Sequence, residues 1–241
     1  MRLEITLEGK GSLTLPFHYN GVLQAFVYRL LGDIAQKIHD EGFGEYRRFK
    51  MFVFSELFGE TEKVTGREIK FRSPVKFYLA SPYSFVIHAI FDTLLRKYPP
   101  PRLREFHVSS VNIQEFHPGS DTLTVRTLSP ITAYQTFRDS EGKNKTMYFS
   151  PAEWEFVDLL EKNLRRKYKI LHNEEYEGNL DIQPLKADCL RDYRLVIYKK
   201  TLIKAWHGEF QIKASPDMLK VALYSGLGPK NSQGFGMVKE V

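Results

Sequence analysis

Two apolar periods alternate along this chain in an order that occurs twice, and that order restricts the fold more than any other feature. Leu3, Ile5 and Leu7 alternate with polar neighbours and predict a strand. Asn20 stands where it would cap a helix whose Val22, Leu23, Phe26, Val27, Leu30 and Leu31 share one face. Gly32-Asp33 interrupts that helix; Asp33 opens a second short one, IAQKIHDE, ended by Gly42. KMFVFSELF and REIKFRSPVKFYLA each read as one strand, SPYSFVIHAIFDTLLRKYP as a helix stopped by Pro99, and LREFHVSSVNIQEF as a strand. After HPGSD the same order returns. TLTVRTL and ITAYQTF are strand material around an exposed tip, EGKNK. SPAEWEFVDLLEKNLRRKYKIL predicts a helix with Ser150 as cap, Pro151 at its first position, and Trp154, Val157, Leu160 and Leu164 as its buried stripe. Residues 178–188 carry no clear period. YRLVIYKK and IKAWHGEFQIKA read as strands, SPDMLKVALYSG as the last helix, and GFGMVKEV as the closing strand.

Each half therefore runs strand, helix, strand, strand, helix, strand. This predicts an α+β protein of tandem ferredoxin-like (RRM-like, βαββαβ) domains, residues 1–118 and 119–241. Element order alone carries the duplication, because the halves show no residue-level repeat.

Near the end stands YSGLGPKNSQGFGMVKEV, with two Gly-apolar-Gly pairs separated by turn-forming residues. Gly226, Gly228, Gly234 and Gly236 fall within residues 226–236, at an entropic cost that fits positive φ or close backbone approach. Successive N–H groups in such a loop can converge on an anion such as phosphate. Lys230 adds charge, and Asn231 and Ser232 add short polar groups. Dinucleotide and P-loop motifs follow a strand and open a helix; here a helix precedes and a strand follows, so neither motif applies. A tight helix-to-strand turn is the alternative reading of the glycines.

A formal net charge of +6 and a pI near 9.2 lean toward polyanionic partners. The single cysteine, Cys189, excludes an internal disulfide framework and offers no Cys-based metal set. The longest uncharged run, residues 77–91, is too short to span a bilayer and is interrupted by Pro82 and His88. With MRLEITLEG unlike a signal peptide, the expectation is a soluble, cytoplasmic protein with no membrane partner.

At residue level, IKAWHGEFQIKASPDMLKVALYSGLGPKNSQGFGMVKEV resembles the C-terminus of the CRISPR-associated endoribonucleases that cut precursor CRISPR RNA within its repeats, a family of the RAMP superfamily. PFHYNGVLQAFVYRLLGD and FKMFVFSELFG resemble that family's N-terminal half. The resemblance implies tandem ferredoxin-like domains, binding of single-stranded repeat RNA, and cofactor-free, metal-independent cleavage leaving a 2′,3′-cyclic phosphate. It also leaves open a repeat-RNA-binding paralogue that does not cut, or a RAMP subunit of a CRISPR effector complex. Effector subunits are then further partners, and the protein is a monomer or homodimer.

In such cleavage the ribose 2′-OH attacks its own adjacent phosphate, so RNA supplies the nucleophile. The protein must orient it, move two protons and offset charge on the phosphorane. At the positions where the family's active site lies stand Tyr28, His39 and Lys50. Tyr28 is placed on the polar side of the first helix, His39 is the natural acid or base, and Lys50 an electrostatic stabiliser. On one unbroken helix Tyr28 and His39 would stand about 16 Å apart, so a shared site needs the break at Gly32-Asp33. Taken singly, the three residues also fit bland roles: half-buried packing, a solvated helix end, and a surface charge. RNA-contacting candidates are Gly226, Gly228, Lys230, Asn231, Ser232, Gly234 and Gly236, with bulk at Gly228 or Gly234 expected to fill space meant for the RNA backbone. Arg47-Arg48, Arg165-Arg166-Lys167 with Lys169, and Lys199-Lys200 with Lys204 each read singly as a solvated face, and together with the glycine loop as basic material for an interdomain cleft that tracks an RNA backbone. His207 reads as structural.

Overall fold

The protein is described here by a computed structural model covering residues 1–44, 48–97 and 99–241. In its first half, β1 (Arg2–Glu8) and β2 (Ser12–Pro16) precede α1 (Asn20–Leu30), a 3-10 turn at Gly32–Ile34 and α2 (Ala35–Asp40). Then come β3 (Val53–Phe54), β4 (Thr61–Val64), β5 (Glu68–Arg72), β6 (Val75–Ala80), α3 (Ser84–Arg96), β7 (Arg102–Leu103) and β8 (Phe106–Gln114). Strand β1 lies between β6 and β8 in the order β3-β6-β1-β8-β7, while β2, β5 and β4 form a separate small sheet.

The second half comprises β9 (Thr122–Thr127), β10 (Tyr134–Arg138), β11 (Asn144–Tyr148), α4 (Trp154–His172), β12 (Asp181–Lys186), β13 (Tyr193–Tyr198), β14 (Thr201–Trp206), β15 (Glu209–Lys213), α5 (Pro216–Ser225) and β16 (Val238–Glu240). Its sheet runs β12-β15-β9-β16, so again the first strand is central, between the third and fourth of the motif. Both halves are ferredoxin-like, the first with an inserted sheet and the second with two added hairpins, β10-β11 and β13-β14.

The alternation of β1 puts Leu3, Ile5 and Leu7 at 0% exposure against Leu23, Phe26, Val27 and Leu30 of α1 and Val86, Ile87 and Ile90 of α3. In the second half Leu123 and Val125 of β9 meet Phe156, Leu160 and Leu164 of α4 and Met218, Leu219 and Ala222 of α5. Val53 and Ala80 of the first sheet pack into this second core. Polar bonds also join the halves: Arg2 donates to the Val238 carbonyl at 2.7 Å, Glu56 N to Leu128 O at 3.0 Å, and Tyr224 Oη accepts from Phe116 N at 2.6 Å.

Several boundaries differ from the sequence expectation. REIKFRSPVKFYLA is two strands, because the chain passes at Ser73-Pro74 from the β2 sheet to β1's sheet. IKAWHGEFQIKA likewise divides at His207-Gly208, β14 pairing with β13 and β15 with β9. The unassigned residues 178–188 contain β12, an edge strand interrupted by a register shift after Pro184. Helix α4 begins at Trp154, three residues beyond Pro151, and the Glu153 carboxylate accepts from Ser150 N and Oγ. Its buried face is Phe156, Leu160, Asn163, Leu164, Lys167 and Tyr168, whereas Trp154 is 72% exposed. Asn20 does not cap α1; its side chain reaches the other half of the molecule.

Candidate active site

The break at Gly32 brings Tyr28 and His39 together. Gly32 adopts φ +57°, and a Cβ there would lie 2.2 Å from Thr93 Oγ1, so conformation and packing both require glycine. The 3-10 turn redirects the chain, and the Tyr28 and His39 rings meet edge to face with centroids 5.6 Å apart. Tyr28 also packs on Phe52 at 5.7 Å. It is half-buried rather than on an open polar face, and burial pushes its phenol up to about 12, with Tyr198 and Asp40 adding to the effect. At neutral pH it is therefore a proton-bearing phenol, suited to donate a hydrogen bond.

His39 is exposed, with Nδ1 2.8 Å from Asp40 Oδ1. With Nδ1–H turned to that carboxylate, the neutral ring presents Nε2 as the acceptor. The His39 bond holds the Asp40 carboxyl below its ordinary range. Lys50 closes the group, its Nζ donating to the His39 carbonyl oxygen, while Arg48 Nη1 donates to Asp40 O at 2.8 Å. Partial burial, followed by the charge of Arg48, lowers the Lys50 ammonium. Tyr28, His39 and Lys50 thus converge from three segments, α1, α2 and the approach to β3.

Beside them lies a cleft of about 230 Å³ between residues 48–52 and the glycine loop. Arg48, Lys50, Lys167 and Lys230 line it, as do Tyr134 and Ser232, and no carboxylate is among its described lining residues. Lys230, at φ +63°, extends its Nζ over the Tyr134 ring at 5.2 Å. Arg47 lies outside the described residues.

The glycines face protein rather than open space. All four take positive φ and are buried. A Cβ at Gly228 would stand 2.7 Å from Thr132 O, one at Gly234 2.7 Å from Phe54 Cε2, and one at Gly236 1.9 Å from Leu227 O. The space that bulk at Gly228 or Gly234 would fill is therefore occupied by the fold itself, which corrects the expectation of space kept for an RNA backbone. The expected anion nest is also changed, since the N–H groups of Gly226, Leu227, Gln233, Gly234 and Gly236 donate to protein carbonyls. Asn231 is buried and staples the loop, donating to Leu227 O at 3.3 Å and Phe235 O at 3.0 Å. Lys230 and Ser232 remain at the cleft.

Sequence reasoning missed three residues that shape this loop. Lys167, read as part of a solvated run, is 1% exposed and donates to Ser225 O, Gly226 O and Gly228 O at 3.2, 2.6 and 3.1 Å. Its signal was phase: position 167 continues the Phe156-Leu160-Asn163 stripe of α4. Asn20 donates to Gln233 O at 3.0 Å and Gln24 to Ser232 O at 2.6 Å, so the N-terminal helix that carries Tyr28 also grips the loop. Tyr198 donates to Gln24 and ties the β13-β14 hairpin to the same point. Arg165 is taken up by Tyr176 O and Gly178 O. Lys199 and Lys200 form the exposed turn of that hairpin. His207 bridges Thr127 Oγ1 at 2.9 Å and Glu56 at 3.3 Å, a structural position as expected. No described helix is long and apolar enough to cross a membrane.

A folded pair of ferredoxin-like halves, with a histidine, a phenol and several cations around a glycine-rich loop, defines a class to which known proteins can be compared. Residues 113–240 match the family model described as CRISPR associated protein Cas6, C-terminal. Over its whole length the chain is 27% identical to 93% of the CRISPR-associated endoribonuclease Cas6 1 of Methanocaldococcus jannaschii. It is also 27% identical to Cas6 of Pyrococcus furiosus, over 93% of this chain and 83% of that one. A solved CRISPR-associated protein Cas6 superposes with a TM-score of 0.79 at 25% identity, covering 100% and 99% of the two chains. A RAMP protein described as binding different RNA substrates superposes at 0.83 and 22% identity, with coverage of 100% and 99%. The chain belongs to the Cas6 family of CRISPR-associated proteins, whose named relatives are endoribonucleases.

Proposed function

We propose that this protein binds single-stranded CRISPR repeat RNA and cleaves it within the repeat, without a metal, by attack of the 2′-OH on the adjacent phosphate. The observation that carries this reading is the convergence of Tyr28, His39 and Lys50 at the rim of a cleft lined by cations. His39 Nε2 takes the 2′-OH proton or, as imidazolium, protonates the leaving 5′-oxygen, with water exchanging the other proton. Lys50 and the Tyr28 phenol offset charge on the phosphorane, and Arg48 and Lys230 hold flanking phosphates. The products are a 2′,3′-cyclic phosphate and a 5′-hydroxyl. The loop's part is to set the shape of the cleft, with Lys230 and Ser232 as its contact residues and the four glycines and Asn231 as its frame. The reading divides the chain into domains at residues 118 and 119, with the cleft formed between them.

The test is incubation of purified protein with end-labelled repeat RNA in EDTA, scoring both gel shift and product ends. Cleavage at one position, abolished by a 2′-deoxy substitution there, is the expected result. Tight binding with intact RNA over hours would replace the enzyme by a binding paralogue.

A further inference from the structure

Three aromatic rings cluster next to the basic cleft, Phe85 exposed and Phe43 and Tyr83 partly buried, and none belongs to the site described above. Phe43 and Tyr83 have centroids 4.6 Å apart, Tyr83 and Phe85 5.5 Å, and Phe43 and Phe85 6.2 Å. The apolar stripe of α3 is Val86, Ile87 and Ile90; Phe85 stands off it and is 45% exposed. The core of α3 therefore does not need an aromatic side chain at this position.

Two connections lead from the rings to the cleft. Phe43 is bridged to Phe49 by paired backbone bonds of 2.7 and 2.8 Å, and Arg48 and Phe49 both line the cleft. Tyr83 Oη donates to Ile170 O of α4 at 3.4 Å, one turn beyond the exposed Arg166, and Lys167 of that helix lines the cleft too. The rings thus continue a cation-lined surface rather than standing alone. Exposed rings interleaved with cations are the arrangement that takes unpaired bases by stacking while the cations take the phosphates.

We propose that Phe43, Tyr83 and Phe85, flanked by Arg48 and Arg166, form a stacking subsite for unpaired nucleotides of the bound RNA on their way out of the cleft. This subsite rests on the repeat-RNA reading and extends it: the protein holds a segment of single strand away from the cut, without regard to its sequence.

The exposed Phe85 allows a test that spares the core. Full-length wild type, Phe85→Ala, Phe85→Leu and Phe85→Trp proteins are titrated with repeat RNA made uncleavable by a 2′-deoxy residue at the cut. Stacking contributes strongly per base in single-strand complexes, so Phe85→Ala and Phe85→Leu are expected to raise Kd ~10-fold. Phe85→Trp should bind like wild type, because it keeps a π-face, whereas leucine keeps only apolar bulk. The cleavage rate of saturated complex should be unchanged across the series. Shortening the RNA from one end should remove the Phe85→Ala effect while cleavage persists. Wild-type affinity in Phe85→Ala, or full retention by Phe85→Leu, overturns the subsite and leaves the function standing. Loss of self-association in Phe85→Ala at unchanged RNA affinity also overturns it, assigning the face to a second copy of the chain. Failure of wild-type protein to bind the RNA at all removes both proposals.

Discussion

His39 is held by three neighbours, one of them the Tyr28 ring. Its Nδ1 faces Asp40, and its backbone carbonyl accepts from Lys50. His39→Ala is expected to slow cleavage about 10²–10⁴-fold with RNA affinity within a few-fold, measured by single-turnover kinetics beside filter binding. Equal cutting by the variant would move the acid–base role elsewhere. Tyr28 gives a prediction in pH. Its folded-state phenol titrates near 12, above the ordinary value of 10.0, so between those values the unfolded chain has lost the proton while the folded one keeps it. Stability is then fully supported by Tyr28 below pH 10 and declines as pH rises toward 12. Tyr28→Phe should flatten that alkaline decline in urea titrations. Below pH 10 the rate profile of Tyr28→Phe should keep the wild-type shape at reduced height.

At the scale of elements, the glycine loop depends on internal fit more than on access. Replacing Gly234 by Val forces a branched side chain into positive φ and against Phe54. Left-handed strain of about 1–2 kcal/mol and overpacking of about 1–3 kcal/mol act together. A fall in Tm of roughly 5–15 °C should therefore accompany any loss of RNA binding, and calorimetry beside RNA titration would show it. Unchanged Tm with weakened binding would restore the loop as a direct contact surface. The elements also show where sequence was legible. The glycine pattern located the loop and Gly32-Asp33 located the helix break, because both are backbone requirements carried by a residue type. Strand β12 was not legible: Pro184 breaks its alternation, and that proline is tolerated because the strand is an edge. The phase of α4 was misjudged because Trp154 was counted as core, and the same error left Lys167 among the solvated cations. Asn20 reads in sequence only as a helix cap and Gln24 carries no signal, since the partners of both are carbonyls more than 200 residues away.

For the whole molecule, the two halves are legible as a repeated order of periods and a basic cleft between them is expected, but which cations line it is not legible, because that depends on how the sheets dock. Arg48 and Lys50 come from one half and Lys230 from the other. With these three cations meeting a single strand, log affinity should fall against log salt with a slope of about −2. Lys230→Gln should reduce that slope by about 0.7 and weaken binding alike across repeat sequences. A slope near zero would show that the phosphates lie elsewhere. The same docking means that neither half should cut alone, a prediction open to assay with residues 1–118 and 119–241 expressed separately and then mixed.

The bond from Leu227 N to Gly236 O, 2.7 Å, closes the stretch between them into a ring, and Asn231 crosses its interior to both sides. A ring of this kind has a fixed perimeter. Insertion or deletion of one residue would break either the closing bond or the cross-brace, although surface loops ordinarily absorb such changes. Substitutions at positions 230, 232 and 233 should then be tolerated where a change in their number is not, which thermal melts of point and length variants would show. Any redesign of this loop should alter side chains on the ring and leave its length alone.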